Sequence, residues 1–168
     1  MSVIINHMKP AAGNSGLTLI ELITVIAILG ILAAIAVPTY YGYERGAARQ
    51  EATTNLQALA VCLQQYYADN GNYAPAAGTY TETWSPDNDD FHNADKYDNQ
   101  ANGYWLDSFH PQAAASGSVP NYDYQVTINA GPPQTFTATA IPKRGPVADD
   151  PVGNLTIDNT GTKSPNWP

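Results

Sequence analysis

The sequence predicts an α+β chain in which one long N-terminal helix, kinked between a transmembrane half and an amphipathic half, packs on a C-terminal antiparallel β-sheet. Three observations carry that prediction. Residues 17–37 form an apolar run, residues 48–66 repeat apolar side chains at helical spacing, and two alternating segments within residues 122–141 flank a Gly-Pro-Pro turn. Composition sets limits on the class. The 168 residues include 13 Gly and 13 Pro, which argues against an all-helical bundle, and the single Cys excludes an intrachain disulfide framework or an all-cysteine metal site. A formal charge of -8 argues against direct nucleic-acid binding through a general positive field.

The first element is the apolar run. From Leu17 to Val37 only Thr18, Glu21, Thr24 and Gly30 interrupt it. In a helix it extends about 31 Å, against ~30 Å of bilayer hydrocarbon, so it is long enough to span. Residues 1–16 carry Lys9, no acid, and a small polar stretch ending in Ser15-Gly16. A secretory signal places its small cleavage residues after the apolar run; here they precede it, so a cut there leaves the run on the mature chain. Glu21 is a carboxylate in an apolar helix, costly without a partner and therefore a functional-site residue by default. After a cut behind Gly16, the α-amine of Leu17 lies one turn from Glu21, and the two can neutralise one another within a subunit or between neighbours. A simpler reading of the same residues is a single-pass anchor whose Glu stays hydrated near the headgroups.

Pro38 removes one backbone hydrogen bond and, with Gly42 and Gly46, predicts a kink or loosened turn at the outer membrane edge. Helical spacing then resumes: Ala48, Ala52, Leu56, Leu59, Leu63 and Tyr66 share one face, with Cys62 beside it as an unpaired, buried thiol. Asp69-Asn70-Gly71-Asn72 is the stop signal. Tyr122 to Ile128 and Gln134 to Ile141 alternate apolar and polar residues and form a hairpin across the five-residue loop Asn129–Pro133. A third strand is expected at Asn154–Asp158 and a fourth at Tyr104–Phe109, with one sheet face covering Leu56, Leu59 and Leu63. The acidic, aromatic segment 74–120 is too long for a passive connection and is expected to be an insertion carrying subunit-specific contacts.

Chemistry-bearing residues are sparse. Asp87, Asp89 and Asp90, with Asp149, Asp150 and Asp158 further on, are the oxygen donors from which a calcium site would be drawn. The Gly and terminal Glu of an EF-hand loop are missing at their offsets, so a solvated acidic loop is the expectation and no metal is assigned. Lys143-Arg144 is the only adjacent basic pair after the helix. His92 and His110 have no ligand partner at motif spacing and no nucleophile motif beside them, and no cofactor motif is present. The chain therefore does not read as an enzyme.

The stretch Gly16-Leu17-Thr18-Leu19-Ile20-Glu21-Leu22, followed by Ile28 to Pro38 and Tyr40-Tyr41, resembles the N-terminus of type IV prepilins, with Gly, Glu and Pro at that family's spacing. The resemblance implies a leader peptide at 1–16, a transmembrane and filament-core helix at 17–38, an amphipathic half at 39–70 and a globular head at 71–168. It implies cleavage by prepilin peptidase between Gly16 and Leu17, N-methylation at Leu17, subunit registry through Glu21, and an assembly helix that includes Pro38. The implied partners are other pilin subunits, the prepilin peptidase, the inner-membrane assembly platform and, before assembly, membrane lipid; no cofactor is implied. The head would lie outside the cytoplasm and later in a cell-surface pilus serving adhesion or twitching motility. Leu17 departs from the family's usual Phe. The Tyr-x-Tyr-x-Val strand, Phe136-x-Ala138-x-Ala140 and Gly153 to Asp158 resemble PilE-like minor pilins. In that group a Cys precedes the Gly and another precedes the terminal Trp; here Val152 and Asn166 stand in those positions, so the loop-closing disulfide is absent. The expected function is a structural pilus subunit, a minor pilin first. A major pilin, a type II secretion pseudopilin and a monomeric membrane-anchored binding module are the alternatives.

Overall fold

The computed structural model describes residues 16–73, 79–89, 106, 108–129, 131–165 and 167. In chain order the elements are α1 (Leu19–Asn70), β1 (Tyr80–Ser85), β2 (Asn88–Asp89), α2 (Gln112–Ala115), β3 (Tyr122–Asn129), β4 (Thr135–Pro142), β5 (Leu155–Asp158) and β6 (Lys163–Ser164). A 3-10 turn at Gly145–Val147 follows β4. The chain divides into two compact units, Met1–Tyr40 and Tyr41–Pro168, and α1 contributes to both.

In the first unit every described residue is exposed. The helix here is long and apolar enough to cross a membrane, and none of that window is buried. Its polar side chains are satisfied by the helix itself: the Thr24 hydroxyl donates to the Ile20 carbonyl at 2.8 Å and the Thr39 hydroxyl to the Ile35 carbonyl at 2.9 Å. That is what a helix in hydrocarbon requires, since water is not there to take those donors. Pro38 lies inside α1 without ending it.

The second unit is the head. Its sheet has the order β2-β1-β3-β4-β5-β6, antiparallel throughout. Strand β3 alternates, with Tyr122, Tyr124, Val126 and Ile128 buried. Its partner β4 buries Phe136, Ala138 and Ala140, and β5 buries Leu155 and Ile157. These side chains meet Ala48, Ala52, Leu56, Leu59, Ala60 and Leu63 of α1 in one core. Leu56, Leu59 and Leu63 are fully covered, as the helical spacing predicts, whereas Tyr66 is half-buried. The opposite sheet face is rich in threonine, where Thr81 and Thr127 bond across strands at 3.1 Å. The helix ends at Asn70, where Gly71 takes φ 75° and its N–H closes on the Tyr67 carbonyl at 2.8 Å. Only glycine adopts that turn without cost.

Three expectations need correction. The helix starts at Leu19 rather than Leu17, because Thr18 caps it. Tyr104–Phe109 is not a strand where it is described: Leu106 and Ser108 lie in a turn, and the Phe109 N–H donates to the Leu106 carbonyl at 2.9 Å. Leu106 and Phe109 are both buried, three residues apart, which is turn spacing rather than strand period. The 74–120 segment is not simply an insertion. It supplies β1, which pairs with β3 from Tyr80↔Ile128 to Trp84↔Tyr124, and the core residues Trp84, Leu106 and Phe109. The hairpin loop is five residues as expected, shifted by one, since Asn129 pairs with Thr135.

Candidate functional site

Gly16 and Leu17 precede the helix and are exposed; a Cβ added at Gly16 would meet nothing within 4 Å. Leu17 is 82% exposed. The following turn is tightly organised. The Thr18 backbone N–H donates to Glu21 Oε2 at 3.0 Å and the Thr18 hydroxyl to the same oxygen at 2.8 Å, while the Glu21 N–H lies 3.3 Å from the Thr18 hydroxyl oxygen. This is a reciprocal capping box, in which the N-cap threonine and the N3 glutamate satisfy each other's orphan donors. Sequence reasoning singled out Glu21 but missed Thr18, although Thr-x-x-Glu before an apolar run is the signature of such a cap. The consequence is orientation. Oε2 is held by Thr18, and among the described residues Oε1 has no partner, so one carboxylate oxygen is presented outward from the first turn of an apolar helix.

Beyond that turn, Ala27, Gly30, Ala33, Ala34 and Ala36 are exposed, and nothing lies within 4 Å of a Cβ placed at Gly30. Small residues of this kind let helix backbones approach closely in an apolar medium. A helix apolar all round and covered by nothing in its own unit has only lipid or other apolar helices as compatible surroundings.

The head places the remaining sequence candidates apart. Asp87 and Asp149 are exposed, and Asp90 lies outside the described residues, as does His92; Asp89 is in β2. Asp150 is buried and paired with Arg49. The Arg49 guanidinium holds its carboxyl below the usual range, against the cost of burial. Asp158 Oδ1 accepts the Thr160 hydroxyl at 2.6 Å and the N–H groups of Thr160 and Thr162 at 2.9 Å each, which lowers its pKa and closes the turn before β6. Among the described residues no three His, Cys, Asp or Glu side chains converge on a metal position. The basic pair is likewise divided: Arg144 binds Asp123 and donates to the Pro120 carbonyl at 2.8 Å, while Lys143 is exposed. Cys62 is half-buried and accepts a 3.3 Å bond from the Ser108 hydroxyl.

The polar centre of the head was not anticipated. Asn55, 4% exposed in the middle of the apolar face, donates to the Tyr124 hydroxyl at 2.7 Å and accepts from the Gln112 N–H at 3.1 Å. One turn earlier, Glu51 accepts from the Ala113 N–H at 3.2 Å. Two side chains of α1 thus satisfy the first donors of α2, whose own N-cap is Pro111 without a side-chain cap. The only sequence cue was an asparagine interrupting an apolar stripe.

Comparison with known proteins gives two family matches. A family described as "Type IV minor pilin ComP, DNA uptake sequence receptor" matches residues 38–156, and "Prokaryotic N-terminal methylation motif" matches residues 12–37. The chain is 42% identical over 64 residues to the type IV major pilin protein PilA of Myxococcus xanthus, covering 38% of this chain and 29% of that protein. To the type II secretion system core protein G of Vibrio cholerae it is 41% identical over 66 residues, 39% of this chain and 45% of the other. To a type IV major pilin protein PilE1 of Neisseria gonorrhoeae it is 40% identical over 76 residues, 45% and 46% respectively. The chain therefore spans less than half the length of these curated relatives. No solved structure matches it.

Proposed function

Because the chain belongs to the type IV minor pilin ComP family, we propose that it is a minor structural subunit of a type IV pilus, anchored in the inner membrane by the first part of α1 and then packed helix to helix into the filament. In this reading prepilin peptidase cuts between Gly16 and Leu17 and Leu17 is N-methylated; the methylation-motif match over residues 12–37 supports both. The observation that carries the reading is the junction of two features in one helix: an apolar surface that nothing in its own unit covers, opening with an oriented carboxylate, and a second half that is the core of the head.

The mechanism follows from solvation. Glu21 facing lipid is costly, whereas Glu21 with its Oε1 beside the Leu17 amine of a neighbouring subunit is neutralised. Assembly relieves a penalty that the isolated subunit carries. The apolar helices leave lipid rather than water, so the hydrophobic effect contributes little. Close packing at Ala27, Gly30, Ala33, Ala34 and Ala36 supplies the attraction instead. Minor over major status is supported by the span of the ComP match, which reaches across most of the head, whereas the major-pilin and pseudopilin matches cover under half of the chain. Quantifying the chain against other subunits in sheared filaments tests this. A scarce subunit is expected; one that dominates the filament would make it a major pilin. Replacing Glu21 by Ala should remove it from filaments while leaving it in the membrane, and unchanged incorporation would contradict the role given to Glu21.

A second reading, DNA reception, is favoured by the family description alone. The head's charges weigh against it among the described residues: Arg45, Arg49 and Arg144 are each held by groups of the head, Lys163 lies 4.5 Å from the Trp167 ring centre, and Lys143 is the one described cation exposed without a partner. Phosphate binding depends on free cations and weakens steeply with salt. Mobility-shift titration of duplex DNA at two salt concentrations decides the matter: saturable binding that falls with salt would establish reception, and its absence would leave the structural role alone.

A further inference from the structure

The segment between β4 and β5 crosses back over α1, and two arginines of α1 grip it. Arg45 Nε donates to the Pro146 carbonyl at 2.8 Å. One helical turn later Arg49 Nε donates to Asp150 Oδ2 at 2.6 Å, and its Nη2 meets Asp150 Oδ1. The spacing is four residues on both sides, 45 to 49 on the helix and 146 to 150 on the segment, so a single helix face addresses both points. The segment is shaped for this grip. Its 3-10 turn at Gly145–Val147 is followed by an Asp150 N–H to Val147 carbonyl bond of 3.0 Å, and the Val152 N–H donates back to Asp150 Oδ1 at 3.1 Å. The Asp150 side chain is fully enclosed while that of Arg49 remains 34% exposed. The groups facing the carboxylate are Arg49 and Arg45 from α1, Tyr122 from β3, and the Val152 N–H of the segment itself.

Three further observations bear on how this segment is held. It carries no covalent tie, since position 152 is Val and the chain's single Cys is at position 62. Near Asp150 and Arg49, the Tyr122 hydroxyl is buried and has no hydrogen-bond partner among the described residues. The segment's one deeply buried apolar anchor is Val147.

We propose that residues 145–153 form a strap held shut on α1 by a two-point arginine clamp, with the negative charge of Asp150 as the element that keeps it closed. The strap is a separate structural element from the sheet: loss of the charge frees it while β3 and β4 stay paired, and opening uncovers Val147 and Tyr122. Arg144, tied to Asp123 of β3 and to the Pro120 carbonyl, is the fixed end from which the strap starts, and beyond it both side-chain grips come from α1. Removing one partner of an enclosed, forked ion pair leaves the other uncompensated, which is why a single neutral substitution suffices to open it.

The test is hydrogen exchange read by mass spectrometry on the full chain in detergent micelles, comparing the native sequence with Asp150→Asn, which keeps the shape and removes the charge. Amides of 145–153 are expected to exchange at least about tenfold faster in the variant, with those of β3 and β4 unchanged, a factor typical of losing one charge-assisted bond. Unchanged exchange in 145–153 would overturn the clamp. Equal acceleration across β3 and β4 would overturn the separateness of the strap. If Asp150→Asn does not fold, the native chain taken into acid supplies the same decision. Strap amides should lose protection before those of β3 as Asp150 protonates, and simultaneous loss would refute the proposal.

Discussion

Tyr124 gives the most quantitative handle on the head. The residue is 1% exposed in the core, and burial pushes its phenol well above the ordinary tyrosine range, opposed in part by the bond from Asn55. Its neighbour on the same strand face, Tyr122, is pushed up to about 12, again by burial first. The direction of the effect on stability follows from which state releases protons. Above about pH 10 an unfolded tyrosine ionises. The folded head keeps these two protonated, so the unfolded state binds fewer protons and stability falls as pH rises. Stability from these groups is fully present below about pH 10 and is lost through pH 12 for Tyr122, and higher for Tyr124. Each group lowers the folding constant about tenfold per pH unit, so the two together cost roughly 3 kcal/mol per unit. Tyr66 and Tyr73 are also pushed up by burial and add to the slope, so the diagnostic is a difference between two chains. Replacing Tyr124 by Phe should remove about tenfold per pH unit from the alkaline loss, while costing about 1–3 kcal/mol near neutrality because Asn55 Nδ2 is left buried without its acceptor. Urea unfolding followed by circular dichroism from pH 9 to 12 measures both. Identical alkaline slopes for the two chains would refute the placement of Tyr124 in a dry core.

Two other substitutions probe the same architecture. Gly145→Ala should destabilise by about 1–3 kcal/mol, because φ is 59° there and the new Cβ would also crowd the Asn121 side chain; urea denaturation unchanged from the native chain would show that the turn can relax. Leu59→Ala, at a position with no exposure on the helix–sheet contact, should cost about 2–5 kcal/mol in the same assay, and a loss below about 1 kcal/mol would mean that α1 does not form the core of the head.

How much of this was legible from sequence depended on how cleanly each element faces one environment. Strands β3 and β4 alternate against a helix on one side and solvent on the other, so period two was visible in the residues themselves. The stripe on α1 was visible for the same reason. Strand β1 was not, because the buried position between Tyr80 and Trp84 is Glu82, and an acid at a core position breaks the apolar alternation. The short strands β2 and β6 have two residues each, too few to show any period. Leu106 and Phe109 misled because an aromatic-rich stretch satisfies strand propensity even when its buried residues are three apart. At the functional end, Glu21 was conspicuous because a charge in an apolar run is expensive. Thr18 was inconspicuous because its role exists only in relation to Glu21. Arg45, Arg49 and Asp150 were beyond reach, since their grip joins residues 101 apart in sequence.

The central claim is that this chain enters a filament through a processed, apolar helix that starts at Leu17. Peptide mass spectrometry of sheared and washed filaments from the native host tests it most directly. The account predicts an N-terminal peptide of this chain beginning at Leu17 and carrying one N-methyl group, recovered with the filament fraction. A chain recovered only from membranes, with residue 1 still attached and Leu17 unmodified, would contradict it.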